Sequence, residues 1–283
     1  MGKNINVAGY INKIIPFSSV DGEGNRMAVF LQQCNYNCLY CHNPETINRC
    51  INCGACIEVC PKGALDLVDG IVKYDIDKCI NCDSCISICK NNSSPKILEL
   101  TVDEVMERVN KVKPFIEGIT VSGGECTLQS EFLIQLFTRV KEEGLTTFID
   151  TNGSTPIWQN KALMEVTDKT MIDIKAFDSD ENKKLTGMDN QMVIKNVQEL
   201  AKADKVFEIR TVVVPEVLNN EYTVDMASRM IAELNSDIQY KLIKYRPLGV
   251  RKDLIEARVP DDGYMNHLGD IARNNGCNKI LIV

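Results

Sequence analysis

Short apolar runs alternate with longer amphipathic stretches through most of the chain. The runs at 27–31, 118–121, 146–149, 170–174, 207–214 and 240–245 have the length of single strands, and most are rich in Val, Ile and Thr. Between them the spacing turns helical: Leu128, Phe132, Leu133, Leu136, Phe137 and Val140 form one stripe that closes at Gly144. Thr101 and Glu104 make a capping box that opens a helix over 102–112, and two more helices are predicted over 192–203 and 222–234. Strand and helix in alternation give βα units and a parallel sheet, so the fold class is α/β. Six such strands predict a partial (β/α)6 TIM-like barrel, open on one side.

In barrels of this kind the side chains that act on a ligand project from the carboxyl ends of the strands. Those ends carry Cys34, then Ser122, Gly123, Gly124 and Glu125, then Asp150, Thr151, Asn152 and Gly153, then Asp173 and Lys175, then Val214 and Pro215, then Tyr245, Arg246 and Pro247. Their convergence on one face is the strongest argument from pattern alone for an enzyme. Paired glycines let backbone approach a ligand because no Cβ intervenes, and the Glu125 carboxylate suits an ammonium. Taken singly, these residues have ordinary explanations: Gly-Gly-Glu also makes turns, and Asp150 and Asp173 could cap helices.

The alternation fails between 49 and 98, where cysteine takes over. The chain has 13 cysteines, and 11 of them lie between positions 34 and 89. Cys50, Cys53, Cys56 and Cys60, followed by Pro61, have the C-x2-C-x2-C-x3-C-P spacing of bacterial ferredoxins. Cys79, Cys82, Cys85 and Cys89 repeat it, with Lys90 in place of the proline. In that arrangement the fourth cysteine of each run serves the other cluster. Cys50, Cys53, Cys56 and Cys89 would then hold one [4Fe-4S] cluster, and Cys79, Cys82, Cys85 and Cys60 a second. Zinc prefers ligands in two pairs, a poorer match to three evenly spaced cysteines plus one. Disulfide frameworks belong to short secreted chains, whereas this one has 283 residues and a mixed polar start, Met1 to Asn6, in place of a signal segment. The expected organisation is residues 1–48 as the first part of the barrel, 49–98 as a ferredoxin-like insert with short helix and strand pieces over 59–68 and 71–74, and 99–283 as the rest.

A third group, Cys34, Cys38 and Cys41, has C-x3-C-x2-C spacing with Tyr40 before the last cysteine. Three thiolates on a four-iron cube leave one iron open to a substrate. Cys126 and Cys277 could instead complete a third electron-transfer cluster, and spacing alone leaves both readings open. The net charge of −7, with no block of Lys or Arg, argues against a nucleic-acid partner, and no apolar run has the length of a membrane span. A cytoplasmic protein with neither nucleic-acid nor membrane partner is expected.

Gly22, Gly24, Arg26, Phe30, Cys34, Cys38, Tyr40, Cys41 and Asn43 together resemble the signature of radical S-adenosylmethionine (SAM) activating enzymes, which install a glycyl radical in a partner. Gln33 stands where the family has Gly, and Glu23 where it has Pro. The added cysteine runs make the likeness one to three-cluster activases rather than to the short pyruvate formate-lyase type. Segments 15–18, 20–22, 41–44 and 115–125 resemble YjjW-type activases among them.

The resemblance implies that SAM binds the open iron of a cluster on Cys34, Cys38 and Cys41, for three [4Fe-4S] clusters in all. It implies that Gly123, Gly124 and Glu125 meet the SAM amino group, with Tyr40, His42, Asn152, Lys175 and Arg246 bordering the same ligand. Asp150, Thr151, Met171 and Asp173 would surround a monovalent cation, Arg210 would help to bind SAM and substrate, and Asp21 would orient the target glycine. The implied chemistry is one-electron cleavage of SAM to methionine and a 5′-deoxyadenosyl radical, which abstracts hydrogen from that glycine. The implied partners are a glycyl radical enzyme and a flavodoxin or ferredoxin as reductant. Two rivals share parts of the pattern. A radical SAM maturase with auxiliary clusters would be expected to carry its extra cysteines after the barrel motifs, and a polyferredoxin would leave the strand-end motifs without a purpose.

Overall fold

A computed structural model describes residues 7–283; the hexapeptide Met1 to Asn6, read above as unlike a signal segment, lies outside the described residues. In chain order the elements are β1 (Ala8–Ser18), β2 (Arg26–Leu31), β3 (Leu65–Val68), β4 (Ile71–Tyr74), α1 (Ser84–Ser87), β5 (Leu98–Thr101), α2 (Val102–Val112), β6 (Gly118–Gly123), α3 (Ser130–Glu142) and β7 (Thr146–Thr151). They continue as α4 (Lys161–Val166), β8 (Lys169–Asp173), α5 (Ser179–Thr186), α6 (Gln191–Lys202), β9 (Val206–Val213), α7 (Asn220–Asn235), β10 (Gln239–Lys244), α8 (Asp262–Asn274) and β11 (Ile280–Ile282). The six expected strands are β2, β6, β7, β8, β9 and β10. They pair in parallel and in chain order. The sheet extends further than expected at both edges. There β11 runs parallel to β10, while β1 lies antiparallel to β2 and β5 antiparallel to β1. No pairing joins β5 to β11, so the nine strands form an open sheet.

Strand alternation sorts the two faces of this sheet. Ile119, Val121, Ile149, Ile172, Ile209 and Val213 are fully buried and share one core with the apolar stripes of the helices, among them Val105 on α2, Leu136 on α3, Val197 on α6, Ile231 on α7 and Leu268 on α8. Each such side chain contributes roughly 1.5–3 kcal/mol by leaving water. The α2 stripe begins where Thr101 and Glu104 close the expected capping box.

The opposite face is polar and concave. Phe148 on β7 and Phe207 on β9 have β8 between them, yet their ring centroids lie 5.4 Å apart. Strands two places apart in a flat sheet are separated by about 9.5 Å. No helix among the described residues is long and apolar enough to cross a membrane.

After β2 the chain leaves the sheet and returns at β5. Gln32 ties down the near end of this excursion by donating to the carbonyls of Glu45 and Asn48 at 2.7 and 2.6 Å. Asn48 forms a parallel bridge with Ser93, and Asn91 donates to the carbonyl of Arg49, which closes the excursion at its base. The expected short pieces are the hairpin β3–β4; the helix placed before it is a run of turns, and the single helical turn falls later, at α1.

Candidate active site at the carboxyl ends of the strands

The chain leaves β2 through Gln33, whose φ of +87° is the left-handed conformation that glycine adopts freely. Holding a longer residue there costs of order 1–3 kcal/mol, and hydrogen bonds keep it in place. Its N–H donates to Thr46 O at 2.8 Å and its carbonyl accepts from Glu125 N at 2.8 Å. The following loop curls an amide onto the Cys34 thiol, with Tyr36 N 3.4 Å from Sγ. The same contact recurs from Asn52 N to Cys50 and from Asn81 N to Cys79, each at 3.4 Å. Burial pushes the Cys34 thiol up to about 12 and that of Cys38 up to about 11. Thiols so placed ionise readily only on binding a metal, which displaces their protons.

The next two strand ends give the Gly-Gly-Glu motif a structural part. A Cβ on Gly123, at φ +125°, would lie 2.2 Å from Leu31 N and O, and one on Gly124 would lie 2.3 Å from Gln33 O. The glycines therefore make room first for the strand that carries the cysteine loop. Glu125 is fully buried, and its carboxylate is hydrogen-bonded internally. It accepts from Thr127 N and Oγ1, from Thr151 Oγ1 at 2.8 Å and from Asn152 N at 2.7 Å. That clamp joins the β6 and β7 loops, with three of its four hydrogen bonds on Oε1 and one on Oε2. Cys126 and Cys277, the two cysteines that could have completed a third electron-transfer cluster, sit in the core behind the sheet.

A cavity of about 280 Å³ lies where these loops meet, near the lower end of the roughly 300–1,000 Å³ typical of ligand sites. One wall carries Cys34, Cys38, Cys41 and His42; the other carries backbone at 122–124 and the side chains of Asp150, Asn152, Asp173, Lys175 and Arg210. The buried hydroxyl of Tyr40 on its border has no hydrogen-bond partner among the described residues. Lys175 Nζ stands 5.8 Å from the Tyr40 ring centre. Arg246 does not line this cavity; its carbonyl meets His42 Nε2 at 2.9 Å, while the His42 ring stacks on Tyr245.

Charge in the cavity is paired. Arg210 Nη2 lies 2.5 Å from Asp150 Oδ1, and Ser122 Oγ donates to the other Asp150 oxygen at 2.9 Å. Lys175 Nζ lies 3.0 Å from Asp173 Oδ2. Burial opposes the charge on Asp173, but Lys175 and Arg210 outweigh it and hold the carboxyl below its usual range. Burial likewise opposes the charge on Arg210, but the surrounding carboxylates hold the guanidinium above its usual value. Thr151, grouped by resemblance with a cation, borders the cavity and donates its hydroxyl to Glu125; Met171 is buried on β8, paired in register with Asp150.

Sequence reasoning missed several participants. Glu208 is buried 3.2 Å from Arg210 Nε and 3.6 Å from Lys241 Nζ, and these pairings followed only from strand register. Arg251 donates to Asn37 Oδ1 at 2.7 Å and to Cys38 O at 2.8 Å, and a Cβ on Gly249 would lie 2.3 Å from His42 O. The segment after β10 thus braces the cysteine loop, although no motif marks it.

Asp21 lies in the loop that leads into the amino end of β2, and its charge is among those that act on Asp150 and Arg210. Its carbonyl accepts from Thr120 Oγ1 and its carboxylate from Ser18 Oγ. Arg26, buried at 1% exposure, spans this end with its guanidinium over the Phe148 ring and donates to Glu23 O at 3.2 Å.

In the excursion, Cys50, Cys53, Cys56 and Cys89 border one cavity of about 310 Å³, Cys60, Cys79 and Cys82 border a smaller one of about 20 Å³, and Cys85 borders both. Asn52 and Asn81, at equivalent places in the two runs, both have positive φ, +57° and +54°.

The radical SAM superfamily profile matches residues 29–227. The chain is 31% identical to the (2S)-3-sulfopropanediol sulfolyase activating enzyme of Bilophila wadsworthia, covering 92% of this chain and 95% of that protein. It is 30% identical to the pyruvate formate-lyase-activating enzyme of Staphylococcus epidermidis, covering 86% and 84%. Among solved structures, QueE from Escherichia coli superposes with a TM-score of 0.55 over 98% of this chain and 94% of that one, at 14% identity, a likeness of fold.

Proposed function

Because the chain belongs to the radical SAM superfamily, among the glycyl-radical enzyme activating enzymes, we propose that it binds SAM at a [4Fe-4S] cluster on Cys34, Cys38 and Cys41 and takes hydrogen from a backbone glycine of a partner enzyme. The observation that carries this reading is one cavity in which three thiols face Arg210, Lys175, Asp150 and Asp173. When bound, the reduced cluster and SAM supply the one-electron cleavage that yields methionine and a 5′-deoxyadenosyl radical.

The chain's own part is position, charge and exclusion of water. No fourth cysteine reaches the three thiols, since Cys126 and Cys277 lie in the core, so a cluster held there would keep one iron for the ligand. Arg210 and Lys175 present cations to a ligand carboxylate, while Asp150 and Asp173 balance them and suit an ammonium or sulfonium. The orphaned hydroxyl of Tyr40 fits a polar ligand whose contacts would satisfy it. Both aspartates already have cationic partners and Thr151 serves Glu125, so a monovalent cation is not needed for charge balance and has no part in this proposal.

We read 1–48 with 99–283 as one partial barrel, and 49–98 as a ferredoxin-like insert with two further clusters. The cysteines of the two runs border two adjoining cavities that share Cys85, and the positive φ of Asn52 and Asn81 carries the sequence repeat into backbone form; both support this. The reductant is then a flavodoxin or ferredoxin, reaching the site through the insert.

The test is 5′-deoxyadenosine formation by anaerobically reconstituted protein with dithionite and SAM, beside its iron content, expected at about 12 per chain. Cys38→Ala should abolish product and retain about eight irons. Product formation at the unmodified rate in that variant would overturn the site.

A further inference from the structure

A larger cavity, about 850 Å³, lies where the cysteine-rich segment meets β1, β5 and α2. Its charge runs against that of the whole chain. In a protein of net charge −7, this groove is lined by Lys13, Lys96, Arg108 and Lys111 against Glu45 and Asp83. Asp83 is already taken by Lys96 at 2.6 Å. Lys13 and Lys111 make no ion pair among the described residues, and the Arg108 guanidinium donates to the Glu104 carbonyl of its own helix. Four cations thus meet two carboxylates, Lys96 on Asp83 and Lys13 in the field of Glu45, and the surplus is positive. Between the cations the surface is apolar, with Ile14, Ile86 and Leu98 inside and Ile76 57% exposed.

The position of the groove matters as much as its charge. Tyr74 and Lys96 border it and also border the small cavity enclosed by Cys60, Cys79, Cys82 and Cys85. The other quartet lies on the side of Asn48 and Asn91, whose hydrogen bonds with Gln32 and Arg49 lead back to Cys34. The groove thus adjoins the second quartet through Tyr74 and Lys96, and through Glu45 it also reaches the base of the three-cysteine loop. The cations come from β1, α2 and the segment before β5 and do not converge on one point, so they suit an extended acidic surface better than a small anion.

We propose that this groove docks an acidic one-electron carrier protein, and that electrons enter at the cluster of Cys60, Cys79, Cys82 and Cys85. This rests on the two-cluster reading of the insert. In each encounter the carrier is oxidised by one electron and that cluster is reduced by one, with no bond made or broken. Charge at the rim should act on the rate of encounter and on its dependence on salt.

The experiment uses the reconstituted holoenzyme and a photoreduced acidic flavodoxin, following cluster bleaching by stopped flow without SAM. Lys13→Glu combined with Lys111→Glu should lower the second-order rate about tenfold or more at low ionic strength, flatten its salt dependence and weaken flavodoxin binding in a titration. Bleaching by dithionite and iron content should stay as in the unmodified protein. An unchanged flavodoxin rate and salt dependence would overturn the proposal. So would a variant that keeps the flavodoxin rate but loses dithionite-driven glycyl radical formation, because the groove would then belong to the glycyl radical partner. Failure of the unmodified protein to make 5′-deoxyadenosine with dithionite would instead tell against the proposed function, and the bleaching rates would still judge the groove.

Discussion

Isoleucine behaves in opposite ways in the two parts of this chain. On the sheet, Ile119, Ile149, Ile172 and Ile209 have no exposed surface, because helices on both sides in sequence return to cover them. In the cysteine-rich segment, Ile51, Ile76 and Ile80 are more than half exposed, and the buried apolar cluster is Cys56, Leu65 and Cys85. About fifty residues cannot enclose a core of their own. Thiols occupy the middle, where aliphatic side chains would otherwise stand. On the proposed reading, the sheet with its helices is a fold that positions a site, whereas the excursion is a set of ligands that would need its inorganic centres to be a fold at all.

The strongest way to break this contrast is to remove the iron. Chelation under anaerobic, reducing conditions should abolish amide-exchange protection across β3 and β4 while leaving β6 to β9 protected, because only the former lacks an apolar core. Equal loss of protection in both regions would mean that the barrel, too, leans on its clusters. Protection retained in β3 and β4 would mean that the excursion folds without them.

Next in size is Glu125→Ala, which attacks the barrel where it is most polar. Removing a buried carboxylate that accepts from two loops leaves Thr151, Thr127 and the Asn152 amide without their acceptor. The expected cost is about 3 kcal/mol, read as a lower denaturation midpoint of the barrel, with SAM affinity falling because the loop at 150–153 is no longer tied to that at 122–125. A variant of unchanged stability that loses SAM binding alone would restore Glu125 to a direct role on the ligand.

The sequence disclosed the frame because periodicity reports burial. The six central strands fell within two residues of their predicted bounds, since each has helices over one face. β1 and β5 went unseen because they pair at an antiparallel edge, where the apolar signal is interrupted by polar positions and Pro16. Ligand types at the site were legible, since cysteine spacing and acidic strand ends are chemical signatures. Who pairs with whom was not: Glu208 reaches Arg210 through register, and Arg251 reaches the Cys38 carbonyl across more than two hundred residues. Gln33 was marked as a departure from a family glycine, and the structure gives the physical meaning, a positive φ that glycine would adopt without strain.

The smallest effect expected separates the two regions by their response to acid. Asp168 joins β7 to β8 by accepting from Thr147 N at 2.9 Å and from Lys141. Burial raises its pKa, but the Lys141 and Thr147 hydrogen bonds outweigh burial and hold it below the usual carboxylate value. A depressed carboxyl contributes stability that is present above its unfolded pKa of about 3.9 and is lost as pH falls through the lower folded value. Asp75 in the excursion is also held low, by Lys78, but its pair is exposed and screened by solvent. Asp168→Asn should therefore lower barrel stability at pH 7 by under about 1 kcal/mol and converge with the unmodified protein below pH 4, while Asp75→Asn should change nothing measurable in 0.15 M salt. A difference for Asp168→Asn that persists unchanged into strong acid would show that geometry, not charge, holds β7 to β8, and the barrel's polar end would then depend on shape in the way its apolar core does.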